Sequence, residues 1–262
     1  MIRKQRGKIH DAMPTRRPGL LAAILLKLTI VASLFVSVGA AVVPGADRFV
    51  GLEERSEALC PADMIYVPGG AFLSGATREQ VGLPDYEPDI YREPRPRGTF
   101  ETGSYCMDRY EFPGKGHRPL ADVTWVQARV ACEARGRRLC TENEWAKACG
   151  GVLGWLYPYG DVQVPGLCHA DVQEEGQYDL VVNSGVRDSC RSPYGTYNME
   201  GNVSEWVEGR RPDAPWDRWV LGGTLWPGVY GRGCQARHAH PAVAPVAGDD
   251  GFRCCIEPAS NP

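Results

Sequence analysis

Residues Gly201-Asn202-Val203-Ser204-Glu205-Trp206 concentrate more chemistry than any other part of the chain. An ordered loop of this composition turns an amide, a carboxylate and backbone carbonyls onto one point, the oxygen-rich arrangement a calcium ion prefers. The bland alternative is a loop whose Asn and Glu side chains only cap backbone groups. His238-Ala239-His240 puts two imidazoles on one face if it lies on a strand. Sequence places no third ligand beside them, and catalytic metal sites normally need three, so a hydrogen-bonded pair is the expectation. Cysteines stand at 60, 106, 132, 140, 149, 168, 190, 234, 254 and 255. An even set without any Cys-x-x-Cys knuckle reads as a disulfide framework rather than a zinc site. Cys254 and Cys255 are adjacent and do not bond each other without strain.

The elements that position these groups follow an N-terminal leader. Arg3, Lys4, Arg6, Lys8, Arg16 and Arg17 precede an apolar stretch ending at Val43, which reads as a signal peptide or, uncleaved, as a membrane anchor over residues 19–43. Every cysteine lies beyond it, so a periplasmic or extracellular location is expected, with membrane contact only through this segment. The expected layout is leader 1–43, linker 44–63, one domain over 64–257 and a tail at 258–262. With 29 basic and 32 acidic residues the net charge is −3, and no basic stripe offers a surface to nucleic acid.

Met64–Val67 and Ala71–Leu73 read as strands around a Pro-Gly-Gly turn, residues 76–99 as irregular, and Tyr105–Phe112 as a further strand. Asp122 or Thr124 caps a first helix that Gly136 stops. Thr141-Glu142-Asn143-Glu144 is a capping box opening a second, which ends at Gly150-Gly151. Beyond it only short segments such as 219–221 and 251–254 are expected. The fold class is α+β: two helices, short strands and much irregular structure.

Ordered pieces of this chain resemble the sulfatase-modifying-factor, or formylglycine-generating-enzyme-like, family from Met64 to Cys255. They are Met64–Phe72, Asp108 with Tyr110-Glu111, Val123-Thr124-Trp125, Arg138–Trp145, Tyr157–Asp161, the Gly-Asn loop, Leu221–Thr224 and Gly251-Phe252-Arg253-Cys254. The resemblance implies a C-type-lectin-related fold stapled by Cys132–Cys254 and Cys149–Cys234. Cys168 and Cys190 flank one loop and are expected to pair; Cys60, Cys106, Cys140 and Cys255 are left with three possible pairings. It implies a calcium site built from Asn198 and Glu205 side chains and the carbonyls of Gly201 and Val203. At the family's other calcium site, His169 stands in place of an Asn, a softer ligand.

Active members of the family bind copper(I) through two cysteines five residues apart and oxidise a cysteine of their substrate to formylglycine. Counted from Gly222-Gly223, Pro227 and Arg232 occupy those places here, and neither binds copper(I). Thr224, Trp226, Tyr230 and Asp249 are the cleft candidates, with no residue assigned a catalytic role. Three readings follow. An exported binding or accessory domain for a protein, peptide or glycan would present an aromatic patch around Trp216, Trp219, Trp226 and Tyr230. A formylglycine-generating oxidase would need a reduced cysteine pair. A different periplasmic oxidase of the same fold would need an uncommitted acid or base among Glu205, Asp249 and Asp250.

Overall fold

The structure, a computed structural model, describes residues 58–83, 92–170, 180–222, 225, 231–244 and 249–260. The chain forms two units, Met1–Pro44 and Gly45–Pro262, and every described residue belongs to the second. The leader, most of the linker, Thr224, Trp226, Pro227 and Tyr230 lie outside the described residues. Among those described, no helix is long and apolar enough to cross a membrane.

Two helices are set by matching caps. Thr124 accepts from the Gln127 N–H and opens α1 (Trp125–Glu133), while the Gln127 side chain reaches back to the Thr124 N–H. Thr141 and Glu144 do the same for α2 (Glu142–Gly150). Each box satisfies donors that a helix start otherwise leaves open. The face of α2 carrying Trp145, Ala148 and Cys149 enters the main core with Ile65, Val67, Tyr105, Met107, Val207 and Leu221. Ala128 and Cys132 of α1 enter a second core with Leu139, Trp206, Val220 and Phe252.

The strands are β1 (Met64–Val67), β2 (Gly70–Ser74), β3 (Arg92–Pro94), β4 (Gly98–Thr102), β5 (Tyr105–Asp108), β6 (Arg138–Leu139), β7 (Ser204–Arg210), β8 (Asp217–Leu221), β9 (Ala236–Pro241), β10 (Asp250–Phe252) and β11 (Cys254–Ile256). They make a four-stranded sheet ordered β1-β5-β11-β6, a five-stranded sheet ordered β10-β7-β8-β9-β3, and the ribbon β2-β4. The strand expected over Tyr105–Phe112 stops at Asp108, and the segment read as irregular contains β3 and starts β4. Pro94 is tolerated because β3 is an edge strand, paired only with β9.

Five disulfides, Cys60–Cys106, Cys132–Cys254, Cys140–Cys255, Cys149–Cys234 and Cys168–Cys190, take up all ten cysteines. Cys254 and Cys255 are neighbours on β11, so their side chains leave opposite faces of the strand. One reaches α1 and the other the residue just before the Thr141 cap of α2. Cys60 ties the end of the segment read as a linker to β5, so the compact domain begins earlier than residue 64. Such a framework belongs to chains that fold where thiols oxidise.

Candidate functional site

At the centre lies an ion pair wholly removed from solvent. Arg253, between β10 and β11, donates from Nε to Glu205 Oε2 and from Nη2 to Glu205 Oε1, each at 2.6 Å. Its other donors reach the carbonyls of Asp108 at 3.1 Å and Tyr197 at 2.8 Å. Trp145 of α2 donates its indole N–H to Glu205 Oε2 at 2.6 Å. This is the fork-to-fork geometry in which an arginine and a carboxylate bind most strongly. Desolvation works against the charge on Arg253, yet Glu205 beside it holds its pKa above the usual value.

A further hydrogen-bonded cluster surrounds Glu111, whose carboxylate accepts from Ser184 Oγ at 2.6 Å, Asn198 Nδ2 at 2.9 Å and Asn202 Nδ2 at 2.9 Å. Burial first, and then the nearby charge of Glu205, push the Glu111 carboxyl up to about 7. Asp108 is likewise pushed up to about 6, because burial outweighs the Cys254 N–H and the Arg137 guanidinium. Asn198 and Asn202 both adopt positive φ, 57° and 60°, which asparagine tolerates better than most residues. Gly201 between them has φ of 76°, and a Cβ there would stand 2.2 Å from the His169 carbonyl oxygen. Only glycine lets this loop meet the neighbouring segment, where Asn202 N–H donates to that same carbonyl at 2.7 Å.

The four residues expected to hold calcium are therefore engaged unequally. Asn198 Oδ1 is buried without a hydrogen-bond partner among the described residues. Glu205 instead gives both carboxylate oxygens to Arg253, and the segment expected to be a loop becomes β7 at Ser204. Gly201 and Val203 are buried beside it. The His169 ring donates from Nε2 to the Leu180 carbonyl at 2.8 Å.

A cleft of about 360 Å³ opens where Glu200, next to Gly201, meets Cys168 and Ala170 on either side of His169. Tyr159, Gln163, Arg187, Glu200 and Arg232 line it, with the Cys168–Cys190 disulfide in its wall. Burial, and then the carboxylate of Glu200, raise the Tyr159 phenol, which keeps its proton as a donor. Two guanidinium groups, a carboxylate and a phenol can grip a ligand that carries both acceptors and donors. Arg232 is one of the two residues that the family resemblance places at the copper-ligand positions. Of the cleft candidates within the described residues, Asp249 is buried and gives its carbonyl to the Ser204 N–H at 2.8 Å.

Of the expected aromatic patch, Trp219 lies in the main core and Trp216 is 73% exposed, while Trp226 and Tyr230 lie outside the described residues. Sequence reading assigned no role in the site to Glu111, named only among the family-like pieces, or to Glu200. Their only signal was a carboxylate amid residues that otherwise read as core.

Residues 109–258 match the sulfatase-modifying factor enzyme 1-like domain. The chain is 34% identical over 133 residues to the bovine (Bos taurus) protein named inactive C-alpha-formylglycine-generating enzyme 2. That match covers 47% of this chain and 42% of the relative, so the chain spans about two fifths of the length of the curated relatives it matches first. It is 30% identical over 110 residues to the formylglycine-generating enzyme of Streptomyces coelicolor, covering 37% of this chain and 34% of that protein. In structure it is similar to PvdO from Pseudomonas aeruginosa, with a TM-score of 0.57, 16% identity, and coverage of 74% of this chain and 94% of that one. Treponema denticola variable protein 1 aligns with a TM-score of 0.57 and 15% identity, covering 74% of this chain and 95% of that one. At such identities these two structures speak for the fold alone.

Proposed function

Because the chain belongs to the sulfatase-modifying factor enzyme 1-like family, we propose that it is an exported recognition or accessory domain of that fold, not a copper oxidase. One observation carries the reading: all ten cysteines are consumed by disulfides, leaving no thiol for copper(I). Pro227 and Arg232 at the copper-ligand positions support it, as does similarity to a relative named inactive. The polar cleft at Tyr159, Glu200 and Arg232 suits a peptide or glycan with paired donors and acceptors. Long loops on a cross-linked scaffold suit recognition.

The test is incubation of the oxidised chain with copper, oxygen, a reductant too weak to open its disulfides, and a Cys-x-Pro-x-Arg peptide. Mass spectrometry is expected to return the peptide cysteine unchanged. Copper-dependent appearance of formylglycine would overturn the reading.

Calcium is proposed for the Asn198 loop, with Asn198 Oδ1 joined by the carbonyls of Gly201 and Val203. The orphaned, buried Asn198 oxygen supports it. Glu205 contributes charge nearby, not a free carboxylate. Calcium added to chelator-treated protein at about a hundred times its Kd is expected to stabilise it by about 2.7 kcal/mol. That is a rise in melting temperature of roughly 5–10 °C. A melting curve indifferent to both chelator and calcium removes the ion from the proposal.

A further inference from the structure

We propose that His238, His240 and Asp250 form a site for a divalent first-row transition ion of the zinc class. The two histidines alternate along β9 and so share a face, as the sequence indicates. The third ligand, which no sequence neighbour provides, arrives on β10. In sheet order β7 and β8 separate β10 from β9, so the sheet must curl for these side chains to meet. They do meet: His238 Nε2 lies 3.6 Å from Asp250 Oδ1, and His240 Nδ1 lies 3.0 Å from Asp250 Oδ2. One ligand atom from each residue falls within 4.8 Å of the others.

A tetrahedral ion with bonds of about 2.0–2.1 Å holds its ligand atoms roughly 3.3–3.4 Å apart. Each histidine lies within a few tenths of an ångström of that spacing from one Asp250 oxygen, His238 from Oδ1 and His240 from Oδ2, so the carboxylate faces both rings. The ligand atoms of the two imidazoles lie no more than 4.8 Å apart. The side chains of His238, His240 and Asp250 are 1%, 9% and 2% exposed, and Trp206 packs edge-on to His240 at 6.0 Å.

An ion pair needs one imidazole for one carboxylate. Here two imidazoles converge on a single buried carboxylate with ring centroids 4.7 Å apart, and two buried imidazolium charges at that spacing repel each other. Neutral imidazoles around a divalent ion remove the repulsion, and the ion compensates the carboxylate. Two nitrogens and one oxygen suit zinc or iron(II) rather than calcium. Three protein ligands leave a fourth coordination position for water or a ligand group. None of these residues belongs to the Asn198 loop or the Arg232 cleft.

The experiment uses the full chain, untagged, with its disulfides intact and chelator removed, titrated with Co²⁺ and then Zn²⁺. One equivalent of Co²⁺ is expected to bind with visible d–d absorption, which one equivalent of Zn²⁺ abolishes. His240→Gln and Asp250→Asn are each expected to weaken binding by about 100-fold or more, whereas His117→Gln leaves it unchanged. His240 is the least buried of the three ligands, so its folded variant decides the matter if Asp250→Asn does not fold. Failure of the folded wild-type chain to take up either ion overturns the proposal. So does a folded His240→Gln variant that binds as the wild type does.

Discussion

Arg253→Met is expected to lower the unfolding free energy by about 3–5 kcal/mol, because it strands the Glu205 carboxylate in the core with its charge unmatched. Both partners are fully buried, and the pair is bidentate at 2.6 Å on each arm. The replacement also strips donors from the carbonyls of Asp108 and Tyr197, leaving buried acceptors unsatisfied. Domains of this kind are stable by only about 5–15 kcal/mol, so the loss is a large share of the whole. The double variant Arg253→Met with Glu205→Gln removes both charges and is expected to recover most of it. Urea denaturation of the oxidised proteins measures each value. A single variant that loses less than about 1 kcal/mol would mean that the pair is not the electrostatic centre of the fold.

The second large effect concerns the cross-links leaving Cys254 and Cys255. Cys132–Cys254 and Cys140–Cys255 span 122 and 115 residues, which in isolation correspond to nearly 5 kcal/mol each in the chain-entropy picture. They are not isolated. Once Cys132–Cys254 exists, Cys140–Cys255 closes a loop of only about ten residues, eight from 132 to 140 and one from 254 to 255. A loop that short corresponds to about 3 kcal/mol. Cys149–Cys234 shortens the path of the first bond as well, to roughly 40 residues. Replacing either pair by serines is therefore expected to cost about 3 kcal/mol, and replacing both about 6–7 kcal/mol, more than the sum of the two. Strictly additive losses in denaturant titrations would show that the two bonds act through separate parts of the chain.

What the sequence disclosed was chiefly local. Thr141 and Glu144 announce the start of α2 because a capping box is complete within four residues. The strand β1 is legible because an apolar run ends at Pro68-Gly69-Gly70. What it withheld depends on residues that meet from afar. Glu205 and Arg253 each stood out in a motif, yet no periodicity says that they face each other across 48 positions. Asp250 lies only ten positions after His240, but the two converge through the curl of a sheet with two strands between them. β3 stayed hidden because Arg92, Glu93 and Pro94 have no apolar alternation, and pairing along the β9 edge supplies what composition does not. Part of the cleft was legible through Arg232, whereas Tyr159 and Glu200 acquire their meaning only from each other.

The placement of Cys254 and Cys255 also bears on how the molecule is made. A ribosome delivers both only after the rest of the domain, so in an oxidising compartment Cys132, Cys140 and Cys149 emerge before two of their three native partners exist. Bonds formed in order of appearance would link these early cysteines to one another. Reaching the native set then requires that they wait as thiols or be reshuffled by thiol–disulfide exchange. The strand β11 thus acts as a completion signal: without it neither Cys132 nor Cys140 has its native partner.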